Sequence, residues 1–316
     1  MKAACTEDEF VALWHQLQSP TKVARALGVS LRNAQDRRVR IEGRRGIELP
    51  VQQRKVALVE NRAIAKFAVE GGTILVGSDA HLWPGPITTV QRAFLHMAKA
   101  MKPVAIVANG DWFDGARVSR FPHGSWADER HKPSVRQELE AVQDYMGEVA
   151  KACPKAKKFW PLGNHDARFE SRIVSTSPEY SGVQGTSLRD HFPMWIPCWR
   201  VDVNDDVVIR HREKGGEHAD YRNVVEAGKT IVTGHDHRAN VTPFHSYRGT
   251  HWGVRCGYMA DSPTDPQFVH YLEAREANWQ PAFVVLTFRG GRLLWPELCV
   301  KHDEGKVEFR GQVISV

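Results

Sequence analysis

Along most of the chain, apolar residues fall into short β-branched runs separated by amphipathic stretches of helical period. Thr73–Val76, Val104–Ala108, Phe159–Leu162, Val207–Arg210 and Lys229–Thr233 read as strands. Two helical stretches separate the first three. Thr88–Met101 places Phe94, Leu95, Met97 and Ala98 on one face, and Ser134–Ala152 does the same with Leu139, Val142, Met146 and Val149. Strand, helix, strand, helix, strand predicts an α/β domain with its functional groups at the C-terminal strand ends, where the loops share one side. Residues 167–196 are polar and irregular and read as a cap over that edge. From Gly253 the chain turns β-rich: Phe283–Phe288, a Gly290-Gly291 hairpin, then Leu293–Trp295. These segments predict a second sheet packed on the first.

The N-terminal part has a different rhythm. Thr6 and Glu9 form a capping-box pattern ahead of Phe10, Leu13, Trp14 and Leu17, which share a helical face. Ser19-Pro20 breaks that helix, Thr21–Leu27 is a second, and Gly28-Val29-Ser30 is a tight turn before a third, Leu31–Ile41. This order resembles a helix-turn-helix, departing from it at Arg37, where an aliphatic residue usually packs inward. The resemblance implies that Arg32, Asn33, Gln35, Arg37, Arg38 and Arg40 meet nucleic acid, with Ser30 and Asp36 near the entering end. The alternative is a small trihelical element that packs on a neighbour or binds protein. Residues 43–57 read as a linker and Val56–Val69 as a lead-in helix stopped by Gly71-Gly72. The expected organisation is therefore a helical element over residues 1–45, linker and lead-in helix over 46–72, and the main domain over 73–316.

Charge sharpens the N-terminal reading. The 316 residues carry a net charge of +6. Residues 22–55 alone hold ten lysines and arginines against Asp36, Glu42 and Glu48. A local basic block points to a polyanionic partner. No apolar run is long enough to span a membrane, and Glu7, Asp8 and Glu9 stand where a signal peptide needs apolar residues. Five cysteines without CxxC spacing argue against a disulfide framework or a zinc ribbon. A cytoplasmic protein with no membrane partner is expected; oligomeric state leaves no mark in the sequence.

The chemistry sits where the strands stop. Repeatedly an apolar run ends in glycine and then delivers Asp, Asn or His: Gly77-Ser78-Asp79-Ala80-His81, Gly110-Asp111, Gly163-Asn164-His165-Asp166 and Gly234-His235-Asp236-His237. His211 follows another strand. Asp79, His81, Asp111, Asn164, His165, His211, His235 and His237 offer oxygen and imidazole nitrogen without thiolate. That donor set suits manganese, iron, zinc or similar divalent ions. It exceeds what one tetrahedral site takes, so two ions are expected, in a clamp of the kind that activates water and stabilises a phosphoryl group.

Asp-x-His, Gly-Asp-x-x-Asp, Gly-Asn-His-Asp, a lone His and Gly-His-x-His, in that order, resemble the calcineurin-like metallophosphoesterase superfamily. The resemblance implies a four-layer α/β/β/α sandwich with the metals between the sheet ends. It puts Asp79, His81 and His237 on one metal and Asn164, His211 and His235 on the other, with Asp111 bridging both. His165 is then the general acid toward the leaving group, Asp114 its orienting partner, and Asp166 a supporting residue. At Arg212 this chain departs from the His-Gly that the family often has, and His218 lies close by. The implied cofactors are two divalent metal ions, manganese first, with Mg, Fe, Ni, Co or Zn as alternatives.

The implied reaction is hydrolysis of a phosphoester by a metal-bridging hydroxide. With the basic N-terminal block, a phosphodiesterase or nuclease acting on nucleic acid is the leading expectation, and Arg168 is the expected substrate contact. A small-molecule phosphatase or cyclic-nucleotide phosphodiesterase is one alternative; a non-catalytic scaffold or DNA-binding protein is another. Trp83, Trp112 and Trp126 lie in loops near the motifs, where they stack on a base or anchor the core.

Overall fold

Three polar side chains divide the N-terminal segment into helices. In the computed structural model, which describes residues 5–50, 63–119, 132–260 and 277–316, Thr6 and Glu9 complete a capping box for α1 (Glu7–Leu17). Ser19 caps α2 (Pro20–Leu27) and Ser30 caps α3 (Leu31–Arg45). Phe10, Trp14, Val23, Ile41 and Leu49 form the small core between them. Arg37 does occupy an inward-facing place, but as a cation: its guanidinium lies 4.9 Å from the Phe10 ring centroid and donates to the carbonyls of Cys5 and Thr6. Arg38 lies over Trp14 and pairs with Glu42 at 2.8 Å, while Arg44 and Arg45 pair with Glu7 and Asp8. Arg32, Asn33, Gln35 and Arg40 are the exposed members of the expected nucleic-acid face.

The chain divides into two units, Met1–Glu60 and Asn61–Val316. In the larger one the strands are β1 (Ile64–Phe67), β2 (Gly72–Gly77), β3 (Ala105–Ala108), β4 (Lys157–Pro161), β5 (Ile196–Cys198), β6 (Arg200–Val203), β7 (Val207–Ile209) and β8 (Thr230–Thr233). They continue with β9 (Ala239–Ser246), β10 (Gly249–Cys256), β11 (Ala282–Arg289), β12 (Arg292–Leu293), β13 (Glu297–Asp303), β14 (Lys306–Phe309) and β15 (Gln312–Ser315). The helices are α4 (Thr89–Met101), α5 (Val135–Ala152), α6 (Ala167–Thr176), α7 (Leu188–His191) and α8 (Ala219–Ala227).

One sheet runs β15-β14-β13-β11-β2-β3-β4-β5, with β12 paired to β11; the other runs β1-β6-β7-β8-β10-β9. Ile74, Val76, Val107, Phe159, Val284 and Leu286 of the first meet Val201, Val203, Ile209, Val232 and Val254 of the second in a shared core. The opposite face of the first sheet, through Leu75, Ile106, Phe283 and Val285, packs on Phe94 and Met97 of α4 and Val142, Met146 and Val149 of α5. On the second sheet, α8 packs against β8, β9 and β10. The result is the α/β/β/α sandwich that the motif order implied.

Three expectations are corrected. Residues 64–67 are a strand rather than the end of a lead-in helix: β1 pairs in parallel with β6, Ile64 opposite Arg200. Ala65 and Phe67 pack on the inter-sheet core there, and that long-range pairing overrides local helix propensity. The earlier part of that segment lies outside the described residues. β10 lies in the second sheet, but the strands after it do not. They extend the first, because β11 pairs antiparallel with β2, Val284 opposite Val76 and Leu286 opposite Ile74. Residues 167–196 begin with an ordered helix, α6, whose Phe169 is buried and whose Ile173 also packs on the core.

Phe283 is fully buried, edge-on to Phe94 with ring centroids 5.1 Å apart. Phe283→Ala is expected to lower stability by about 3–5 kcal/mol, read as a fall in the urea midpoint.

Candidate metal centre

Five strand ends from two sheets converge. The loops after β2, β3 and β4 bring Asp79 and His81, Asp111, and Asn164 with His165; those after β7 and β8 bring His211, and His235 with His237. The backbone at these places is unusual. Asp79, His81, Asp111, His235 and His237 all have left-handed φ, between 40° and 75°. Side chains with a Cβ resist that region, and it persists only where neighbours over-determine it. Here they do. Asp79 N donates to Gly110 O (3.0 Å), His81 N to Asp111 O (2.9 Å), His235 N to Asp79 Oδ2 (2.9 Å) and His165 N to Asp111 Oδ1 (2.9 Å). The motif glycines serve close approach: a Cβ on Gly163 would collide with Asp111 Oδ1, and one on Gly234 with Ser78 Oγ.

Ligand atoms of Asp79, His81 and His237 lie within 4.8 Å of one another, and so do those of Asp111, His211 and His235. His211 Nε2 is 3.0 Å from Asp111 Oδ2, and His237 Nε2 is 3.2 Å from Asp79 Oδ1. Apart from these charged contacts, Asp79 Oδ1 and His211 Nε2, like Asn164 Oδ1, are buried without a hydrogen-bond partner. Buried polar atoms are normally satisfied, so orphaned oxygen and imidazole donors grouped this way fit a cation. The charge balance agrees. Burial pushes the Asp79 carboxyl up, but His211 and His237 reverse this and hold it at about 2; Asp111, beside His211 and His165, is held lower still. Burial pushes His211 down, but Asp111 and Asp79 outweigh it and raise it to about 10. The cluster draws positive charge.

A third group joins His81, Asp114 and His165. Asp114 Oδ1 lies 2.8 Å from His165 Nδ1 and 2.8 Å from His81 Nδ1, so one oxygen orients both imidazoles. Burial lowers the His165 pKa, yet Asp111 and Asp114 leave it raised. Arg168 reaches the same corner: Nη1 donates to Asp114 O (2.9 Å) and Nη2 lies 3.1 Å from His165 Nε2. Arg172 and Arg189 are exposed. His218, the neighbour of His211 in sequence, sits at the start of α8 and belongs to none of the three groups. Trp112 is a core residue, packed against Phe94, Tyr145 and Trp195. Trp126 lies outside the described residues.

Two carboxylates carry more than sequence reasoning assigned them. Asp166, fully buried, accepts from Asp111 N (2.8 Å), Gly163 N (2.8 Å), Phe113 N (3.0 Å) and Trp160 Nε1 (3.2 Å). It ties the loop after β3 to the loop after β4. Burial and the Asp111 charge raise it to about 6 against these donors. Glu138 on α5, also fully buried, accepts from Gly115 N and so holds the turn that presents Asp114. Its signal in the sequence was an acidic residue on the stripe of Leu139, Val142 and Met146. Asp166→Ala would leave four buried donors without an acceptor. It is expected to cost about 3–5 kcal/mol of stability and to lower divalent-metal occupancy, read by chemical denaturation and elemental analysis.

Comparison with known proteins places the chain in a family. The family model for calcineurin-like phosphoesterases matches residues 72–239. The Gene 54 proteins of mycobacteriophages D29 and L5 are 25% and 26% identical, each alignment covering 68% of this chain and 88% of the phage protein. Among solved structures, a zinc complex of wild-type Vps29 from Entamoeba histolytica aligns with 12% identity and a TM-score of 0.40, over 77% of this chain and 98% of that one. The matched family residues contain the loops after β2, β3, β4, β7 and β8, which carry the clustered side chains. The chain is a member of the calcineurin-like phosphoesterase family and a metal-dependent phosphoesterase.

Proposed function

We propose that this phosphoesterase is a two-cation phosphodiesterase that cleaves nucleic acid. The observation that carries the reading is the pair of Asp/His clusters, Asp79 with His81 and His237 and Asp111 with His211 and His235, each with its ligand atoms within 4.8 Å of one another. Asp79, His81 and His237 would hold one cation and Asn164, His211 and His235 the other, with Asp111 between them. Oxygen and imidazole donors without thiolate suit manganese, iron, zinc or similar divalent ions, and manganese is the ion we propose first. Bound there, such ions supply charge neutralisation for the phosphoryl oxygens and an activated water.

The rest of the chemistry belongs to the side chains. His165, held through Nδ1 by Asp114, presents Nε2 toward the acidic centre, 3.9 Å from Asp111 Oδ2. Protonated at Nε2 once Arg168 turns from it to the substrate, it would deliver that proton to the departing oxygen. Arg168 beside it offers a guanidinium to a non-bridging phosphate oxygen. Asp166 and Glu138 keep the two loops in place and exchange nothing with substrate.

The nucleic-acid assignment is supported by the basic N-terminal helices, where Arg32, Asn33, Gln35 and Arg40 are exposed on α3. Arg37 and Arg38 are committed to Phe10 and Trp14 and contribute charge from further in.

His165→Ala is expected to keep its metal and lose about 10²–10⁴-fold in kcat on diesters with poor leaving groups, with a smaller loss on nitrophenyl esters. Asp111→Ala is expected to lose metal as well; full occupancy by elemental analysis in that variant would remove Asp111 from the bridging role. The double variant Arg32→Glu, Arg40→Glu is expected to weaken DNA binding and to flatten its dependence on salt, by about one unit of slope for each phosphate no longer neutralised. An unchanged slope would show that the helical element serves another partner.

A further inference from the structure

Next to the metal centre lies a cavity of about 140 Å³ lined by Gly216, Asp236, Arg238, Asn278 and Trp279. Its position is set by the cluster itself. Asp236 stands between His235 and His237, and the Trp279 ring lies edge-on to the His237 ring with centroids 4.3 Å apart. Gln280 N donates to His237 O (2.9 Å), which fixes the backbone behind the indole. Two lining residues, Gly216 and Asp236, are held by Arg255, only 2% exposed. Its guanidinium donates to Gly216 O (3.1 Å), Glu217 O (2.6 Å) and Asp220 Oδ1 (2.7 Å), and lies 3.1 Å from Asp236 Oδ2. One buried cation thus ties two of the lining residues together and fixes that side of the cavity.

Its chemistry is specific. A void of roughly 150 Å³ holds one six-membered aromatic ring. Here the walls offer an indole, a guanidinium, a carboxylate and the amide of Asn278, whose Oδ1 already accepts from Gln280 Nε2 (2.7 Å), leaving the amide hydrogens to donate. An aromatic wall with donors and an acceptor around it recognises a flat heterocycle with a hydrogen-bonding edge.

We propose that this cavity is a base subsite, taking the heteroaromatic ring of a nucleotide whose phosphate lies at the metal centre. The inference rests on the phosphoesterase reading for where the phosphate sits; the recognition of the ring is the cavity's own. Trp279 stacks on or edges against the base, Asn278 donates to its rim, and Arg238 and Asp236 discriminate its polar edge.

Calorimetric titration of the manganese-loaded full chain with adenosine monophosphate, cytidine monophosphate and ribose 5-phosphate tests it. At least one nucleotide is expected to bind about tenfold or more tighter than the base-free sugar phosphate. Trp279→Ala should reduce that advantage to under about threefold, while Trp279→Phe keeps most of it. Asn278→Ala, a smaller change, should lower it in part even if the tryptophan variant does not fold. Equal affinities in the unaltered protein, or an advantage untouched by both substitutions, would overturn the subsite. Hydrolysis of nitrophenyl diesters, followed in the same preparation, separates the two ideas: turnover without base preference removes the subsite alone, and base preference without turnover removes the catalytic reading alone. Competition by a short single-stranded oligonucleotide assigns the ring to a nucleic-acid strand; its failure to compete assigns it to a free nucleotide.

Discussion

Two carboxylates, Asp79 and Asp111, lie in the interior of this protein with almost no exposure to water. Burying charge is expensive unless opposite charge is supplied at close range. The arrangement around them answers that requirement. Two sheets bring imidazoles within 3.2 Å or less of their oxygens, and backbone amides of His165 and His235 donate to the same carboxylates. The raised affinity of His211 for a proton is the same demand seen from the other side: in the absence of another cation, a proton is the charge that comes closest. The left-handed residues belong to this balance too. Backbone in a costly conformation is tolerated because the hydrogen bonds that hold it are those that position the acids.

Much of this was legible because it is local. A β-branched run that stops at glycine and then offers Asp, Asn or His states both the strand and its C-terminal edge within a few residues. The helices α4 and α5 were equally legible, since their apolar stripes are long and regular. Pairing between distant strands was not. β11 is apolar on both faces, so its composition fits either sheet equally well; only the register of Val284 on Val76 decides. Ile64–Phe67 carries no helix breaker, and its strand state comes from β6, far along the chain. Asp166 and Glu138 were undervalued for a related reason. Their partners are backbone amides of other loops, and an amide leaves no letter in a sequence.

Sharing is the organising habit of the site. Asp114 Oδ1 serves both His81 and His165. One oxygen therefore links an imidazole of the first cluster to the imidazole assigned to proton delivery, and Arg168 closes the corner from the other side. A change in charge at one histidine is felt at the other through that atom. Glu138 stands behind it, gripping the turn that carries Asp114, so the orientation of both rings traces back to a helix residue that touches neither. The N-terminal helices show the same economy: Arg37 and Arg38 contribute to the basic character of α3 while covering the rings of Phe10 and Trp14.

Gly163 carries a consequence for reading other chains. The space its missing side chain leaves is filled by Asp111 Oδ1 and the Asp111 amide. Any larger residue at that place displaces the acid that His211 and the His165 amide both contact. In a distant homologue, then, a single letter at the end of the third parallel strand distinguishes room for this acid from a fold that has kept its shape and lost the place for it.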